Sequence, residues 1–207
     1  MKIEKFVLGS LGTNSYLIEN EETKELIIVD PATCPDYMVS HIKSHGYTPK
    51  AIFLTHGHFD HVMGLDGWVK EFHIPVYLHE DEKRILADPE LNLSAVFGTS
   101  YSYQQTEGVK DGEILKIAGF SFRVIHTPGH TCGGCCYYEE TEGVLISGDT
   151  LFCQSVGRSD FPTGSMATLV HSIKEKLFCL PEEVTVYPGH ESMTTIADEK
   201  MYNPFIR

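Results

Sequence analysis

The segment Thr55-His56-Gly57-His58-Phe59-Asp60-His61 constrains this chain more than any other stretch. It places three imidazoles and one carboxylate within six residues, directly after the apolar run 51–54. Neutral imidazole is the commonest protein metal ligand, and carboxylate oxygen also suits zinc. His56 and His58 are two apart, so on extended backbone they face the same side. Asp60 and His61 follow where the chain turns toward a helical pattern, which aims them at a neighbouring point. One compact turn at the end of a strand can thus feed two adjacent metals. The competing explanation is a chance cluster of surface histidines. With 11 histidines in the chain a single close pair would carry little weight, but three with an aspartate at this spacing, straight after an apolar strand, carry much more.

Four tightly spaced residues do not complete two metal sites. Three further candidates sit in the same local context: His130 after the strand pattern 120–125, Asp149 after 144–146, and His190 after 184–187. Each lies just past the end of a short strand and follows a glycine, which permits a tight turn and close backbone approach. Strand ends gathered at one edge are where α/β folds place ligands. The other histidines, His41, His45, His73, His79, His126 and His171, lack this context. His41, His45 and His171 fall in helical patterns and His73 just beyond one. His126 precedes the His130 turn and reads as structural, with support of a ligand as the alternative.

The rest of the chain sets these residues in a consistent frame. The first eight residues alternate as a strand, and 15–18 and 26–29 are β-rich runs around a polar turn. Residues 35–45 carry a helical pattern between Pro35 and Gly46. Strand 51–54, a helix-like stretch 65–72, strand 76–78 and a charged helical stretch 80–88 follow. Hairpins are expected over 114–125 and 135–146, an amphipathic helix over 165–177, a strand over 184–187 and helix from 192 onward. Strands first and strand–helix alternation later predict a mixed α/β sandwich, two sheets with helices outside. Segment 88–112 is irregular, rich in Ser, Thr, Gly and aromatics, and reads as a loop over the site.

The length of 207 residues and 42% apolar content suit one packed domain over 1–207. The formal charge, 16 − 29 = −13, argues against nucleic acid or anionic membrane as the main partner. No signal peptide and no run of about 20 apolar residues is present, so a cytoplasmic location is the default expectation. Cys34, Cys132, Cys135, Cys136, Cys153 and Cys179 then read as free thiols. Cys132 and Cys135 form a CxxC pair without the second pair that structural zinc needs.

The motifs Thr55-x-x-x-x-Asp60-His61 with its internal histidines, Pro128-Gly129-His130-Thr131, Gly148-Asp149-Thr150 and Pro188-Gly189-His190 resemble those of the metallo-β-lactamase superfamily. Within it, the chain is most similar to short, single-domain glyoxalase II-like (hydroxyacylglutathione hydrolase-like) proteins. The resemblance runs from Asn14 to the end. It implies an αββα four-layer sandwich of two mixed β-sheets flanked by helices. It also implies two divalent metals, zinc first and iron or manganese as alternatives. His56, His58 and His130 would bind the first, Asp60, His61 and His190 the second, and Asp149 both. The implied reaction is hydrolysis of a small-molecule thioester such as S-lactoylglutathione by metal-activated water, with Asp60 and Asp149 as catalytic carboxylates. No serine nucleophile elbow is present.

Arg158, in Gly157-Arg158-Ser159-Asp160-Phe161, is a candidate to hold a substrate carboxylate, and pairing with Asp160 is the alternative. Two departures weaken the glutathione assignment. The helical extension of larger glyoxalase II enzymes is missing after His190, and Ser192 stands where those enzymes carry a thiol-contacting tyrosine. Three rivals follow. One is an iron-dependent persulfide dioxygenase on His56, His130 and Asp149. Another is β-lactam hydrolysis, although Asp149 stands where such enzymes usually carry cysteine. The third is a metal-binding protein without catalysis.

Overall fold

The computed structural model describes residues 1–206. Its first half builds a six-stranded sheet from β1 (Lys2–Leu8), β2 (Thr13–Asn20), β3 (Glu25–Val29), β4 (Thr48–Phe53), β5 (Val76–His79) and β6 (Glu107–Val109), in that spatial order. β1 to β3 are antiparallel neighbours, and β3 to β6 run parallel. Helices α1 (Asp36–Ser44), α2 (Phe59–Val62), α3 (Leu65–Phe72) and α4 (Lys83–Ala87) supply the connections, with a 3₁₀ turn over Glu80–Glu82 before α4.

The second half builds another six-stranded sheet from β7 (Ile114–Ile117), β8 (Phe120–His126), β9 (Cys135–Glu139), β10 (Val144–Gly148), β13 (Thr185–Pro188) and β14 (Thr194–Thr195). Its core pairing of β10 with β13 is parallel and the rest is antiparallel. A short ribbon of β11 (Leu151–Phe152) and β12 (Ser155–Val156) follows β10. Helix α5 (Met166–Ser172), continued by one π turn, and α6 (Ile196–Tyr202) complete the chain.

The period-2 rule explains the four layers. Ile18, Ile27, Val29 and Phe53 point into the core between the sheets, where Phe53 stacks on Tyr137 with ring centroids 4.6 Å apart. Their sequence neighbours Leu17, Leu26, Ile28, Ile52 and Leu54 point the other way, onto Met38 and Ile42 of α1 and Leu65 and Trp68 of α3. On the far side, Cys136, Tyr138, Leu145 and Val186 meet Leu169, Ile173 and Ile196. Sheets covered on both faces need apolar residues at consecutive positions, which is why 26–29 and 51–54 read as unbroken apolar runs. Trp68 is fully buried and satisfies its indole N–H on the Thr33 carbonyl at 2.9 Å. The fold is thus the expected αββα sandwich of two mixed sheets.

Local departures are few. Strand β6 forms inside the segment expected to be irregular, the β11–β12 ribbon was not signalled, and the last helix starts at Ile196 rather than 192. Two sets of bonds join the sheets along one edge. The Asn14 amide donates to Gly189 O (2.7 Å) and the Tyr16 hydroxyl to Pro188 O (2.6 Å). The Cys135 amide donates to Thr55 O (2.9 Å) and the Tyr137 hydroxyl to Leu54 O (2.8 Å). Strands β4, β8, β10 and β13 all end at this edge, and the ligand-type residues follow them.

Candidate metal centre

The structure brings His56, His58, Asp60, His61, His130, Asp149 and His190 to one place. One nitrogen each from His56, His58 and His130 lie within 4.8 Å of one another, and so do the donor atoms of Asp60, His61 and His190. Asp149 stands between the triplets: its Oδ2 is 3.6 Å from both His130 Nε2 and His190 Nε2, and its Oδ1 is 3.4 Å from His61 Nε2. Such closeness needs backbone without side chains at the turns. At Gly189 an added Cβ would collide with Asp149 Oδ1 and His61 Cε1; at Gly129, in the positive-φ region, it would collide with the Leu169 backbone.

Part of this donor set has no partner within the protein. His56 Nε2, His58 Nε2 and Asp149 Oδ1 are buried without any hydrogen-bond partner. Buried polar atoms are costly to leave unsatisfied. His58 Nδ1 and His130 Nε2 approach to 2.9 Å. Burial first, then the neighbouring imidazoles, hold His56 and His58 well below the usual histidine pKa. They are therefore neutral and offer lone pairs. Burial alone would lower His61, but Asp60, Asp149 and Asp30 outweigh it and push it up to about 10. Burial alone would raise Asp60, but His61 and His190 hold its carboxyl well below the usual range. Three neutral-leaning imidazoles on one side and two imidazoles with one carboxylate on the other form a donor set that fits divalent metals.

Outer partners aim the ligands. His61 Nδ1 faces Asp30 Oδ2 at 3.0 Å, which leaves Nε2 toward the centre; Asp30 also accepts from the Thr55 amide (2.8 Å) and hydroxyl (2.6 Å). Although Asp30, His56 and His61 also group closely, the Asp30 oxygens are occupied by these bonds, so it orients rather than ligates. His130 Nδ1 bonds the Arg158 carbonyl at 2.6 Å, and Thr13 Oγ1 donates to Asp60 Oδ2 at 3.1 Å. Glu82, fully buried, accepts from the Gly57 amide with one oxygen and from the Gly133 amide with the other, both at 2.8 Å. It ties the two loops that carry His56, His58 and His130. Burial pushes its pKa up to about 7 against the lowering effect of those amide bonds.

Sequence reasoning did not single out Asp30 or Glu82 as site residues. Asp30 follows the β-rich run 26–29 without a motif to mark it, and Glu82 is one acid in the charged helical stretch 80–88. Arg158 pairs with Asp160 in this structure. Its guanidinium makes two bonds to Asp160, at 3.0 and 2.9 Å, and lies over the Phe161 ring. His126 stacks on His79 and bonds the Cys132 carbonyl, away from the centre. Cys132 and Cys135 point apart, one toward Arg84 and one into the core. Segment 88–106 does reach the site: the Phe59 amide donates to Asn92 O (2.9 Å), and Phe97 stacks on Phe59. No helix among the described residues is long and apolar enough to cross a membrane.

Comparison with known proteins places this centre in context. Residues 8–190 match the model of the metallo-beta-lactamase superfamily. A Bacillus subtilis (strain 168) protein named "Probable metallo-hydrolase YqgX" is 38% identical, over 100% of this chain and 98% of its own length. The Haemophilus influenzae "Hydroxyacylglutathione hydrolase GloC" is 34% identical over 100% and 98%. Among solved structures, the BLEG-1 B3 metallo-beta-lactamase superposes with a TM-score of 0.93 at 40% identity, covering 99% of both chains. TTHA1623 in a di-iron-bound form gives 0.87 at 34%, covering 98% and 99%.

Proposed function

Because this chain belongs to the metallo-β-lactamase superfamily and is a metallo-hydrolase, we propose that it hydrolyses a thioester with the aid of two divalent metals. His56, His58 and His130 would hold the first, Asp60, His61 and His190 the second, and Asp149 both. The observation that carries this reading is the pair of complete triplets with Asp149 between them. Zinc is the first choice for imidazole and carboxylate donors, with iron or manganese as alternatives. When bound, the metals supply Lewis acidity, enough to make water a nucleophile near pH 7 and to polarise the substrate carbonyl.

The chain's own residues do the rest. Asp60 is ionised and fixed by Thr13, so its carboxylate is placed to orient the attacking water. Asp30 sets the His61 tautomer, and the Arg158 carbonyl sets that of His130. Water oxygen bonds to the acyl carbon, the C–S bond breaks, and the sulfur leaves as thiolate or, with the water's proton, as thiol. The hydroxyacylglutathione hydrolase relative supports a thioester, and S-lactoylglutathione is the first substrate to try. The fully formed second triplet favours this hydrolysis over one-iron dioxygenase chemistry. Lactam hydrolysis is a second reading, favoured by the likeness to a B3 enzyme.

Protein purified without added metal should carry two metals per chain and cleave thioesters. Chelation should abolish cleavage, and metal should restore it. Protein loaded with both metals yet inert toward every thioester, while active on nitrocefin, would replace the first reading with the second.

A further inference from the structure

The walls of the site carry information about the substrate beyond its scissile bond. A cavity of about 620 Å³ opens over the ligand cluster. Above the metal-binding groups its wall is apolar: Leu11, Leu93, Phe97, Phe152, Val156 and Phe161. Phe97 is 54% and Leu11 46% exposed. Phe97 is held in place by stacking on the buried Phe59, with centroids 4.4 Å apart. Large apolar side chains grouped at the mouth of a polar centre mark a surface that awaits an apolar partner.

The charges in the same wall run against an anionic substrate handle. The cation in this lining is Arg158, whose Nε–H and one Nη2–H donate to Asp160 while its plane covers Phe161. Glu191 adds a carboxylate to the rim. Lys5 reaches the same neighbourhood, but it donates to the Glu191 carbonyl (3.2 Å) and does not belong to the wall. A glutathione thioester carries two carboxylates, whereas the single Arg or Lys of this wall already faces one carboxylate, Asp160.

We infer that the preferred substrate is a thioester whose acyl group is apolar and whose thiol carrier is uncharged near the sulfur, received by the Leu11–Phe97–Phe152–Phe161 wall. The inference rests on the thioesterase reading and narrows it. The acyl chain lies along the phenylalanines, the carbonyl faces the metal ligands, and the leaving thiol departs past Arg158 without a charge contact. Hydrolysis consumes one water and yields a carboxylic acid and a thiol, with no redox partner needed.

The test uses the metal-loaded protein and a ladder of N-acetylcysteamine thioesters (acetyl, butyryl, hexanoyl, phenylacetyl) beside S-lactoylglutathione. The inference predicts kcat/KM rising along the ladder, by about tenfold or more from acetyl to hexanoyl, with the upper members ahead of S-lactoylglutathione. Phe97→Ala should flatten the rise, mainly through KM. A ladder without a rise, or S-lactoylglutathione ahead of every member, would overturn the inference and leave the thioesterase reading standing. Cleavage of no thioester at all would overturn both.

Discussion

The two halves of the metal centre are built differently. The His56–His58–His130 triplet is buried, all imidazole, and clamped from behind by one fully buried carboxylate, Glu82, that grips both of its loops. The Asp60–His61–His190 triplet contains a carboxylate, and its His190 side chain is 22% exposed at the sheet edge. Its support is spread over Asp30 and Thr13 from the first sheet and Gly189 from the second. The closed half is prearranged by a single local staple, whereas the open half depends on the two sheets staying in register. Both halves line the cavity, His58 and His130 from the closed one and Asp60 and His190 from the open one. A site built this way would hold one cation more firmly than the other.

The strongest way to break this comparison is to remove the residue common to both halves. Asp149→Ala should reduce turnover by more than about 100-fold, beyond what loss of an outer partner causes, and leave at most one metal per chain. Metal analysis with a thioester assay reads both, and near-normal turnover would remove the bridging role. Separating the halves comes next. Glu82→Gln places an amide N–H₂ against a backbone N–H and should weaken the closed site by about 10–100-fold, whereas Asp30→Asn should weaken the open one by a similar factor. Competition with a chromophoric chelator distinguishes them; equal effects on both sites from either variant would mean the halves are one rigid unit.

A smaller effect concerns pH. Burial raises the Glu82 pKa from 4.5 to about 7, so the folded state binds that proton more tightly than the unfolded chain does. The resulting stability is complete below about 4.5 and is lost as pH rises through about 7. Metal-free wild type should therefore lose Tm relative to Glu82→Gln over that window, and parallel Tm curves would refute it. The smallest effect is expected from Arg158→Ala. Its guanidinium is engaged in an exposed pair, and its carbonyl, which serves His130, survives the change. Thioester kcat/KM should stay within about threefold of wild type, and a tenfold rise in KM for S-lactoylglutathione would return Arg158 to substrate binding.

Much of this was legible in the sequence because the chemistry is local. His56 to His61 lie on one turn, and His130, Asp149 and His190 each follow a strand and a glycine, so their convergence needed only the rule that strand ends share an edge. The sandwich was legible from strands first and strand–helix alternation later. Glu82 was not, because in Glu80-Asp81-Glu82 periodicity alone does not say which of three acids turns inward at a 3₁₀ turn. Asp30 was hidden in an ordinary Asp-Pro strand end; its partners Thr55 and His61 lie far along the chain. The short β6 strand pairs only with β5, a long-range contact that a three-residue pattern cannot announce.

The central claim is that two cations sit in these two triplets and share Asp149. Anomalous diffraction from crystals of the protein purified with its metals tests it most directly. Two peaks about 3.5–4 Å apart, one beside His56, His58 and His130 and one beside Asp60, His61 and His190, are the predicted result. A single peak, or peaks away from Asp149, in crystals of active protein would contradict it.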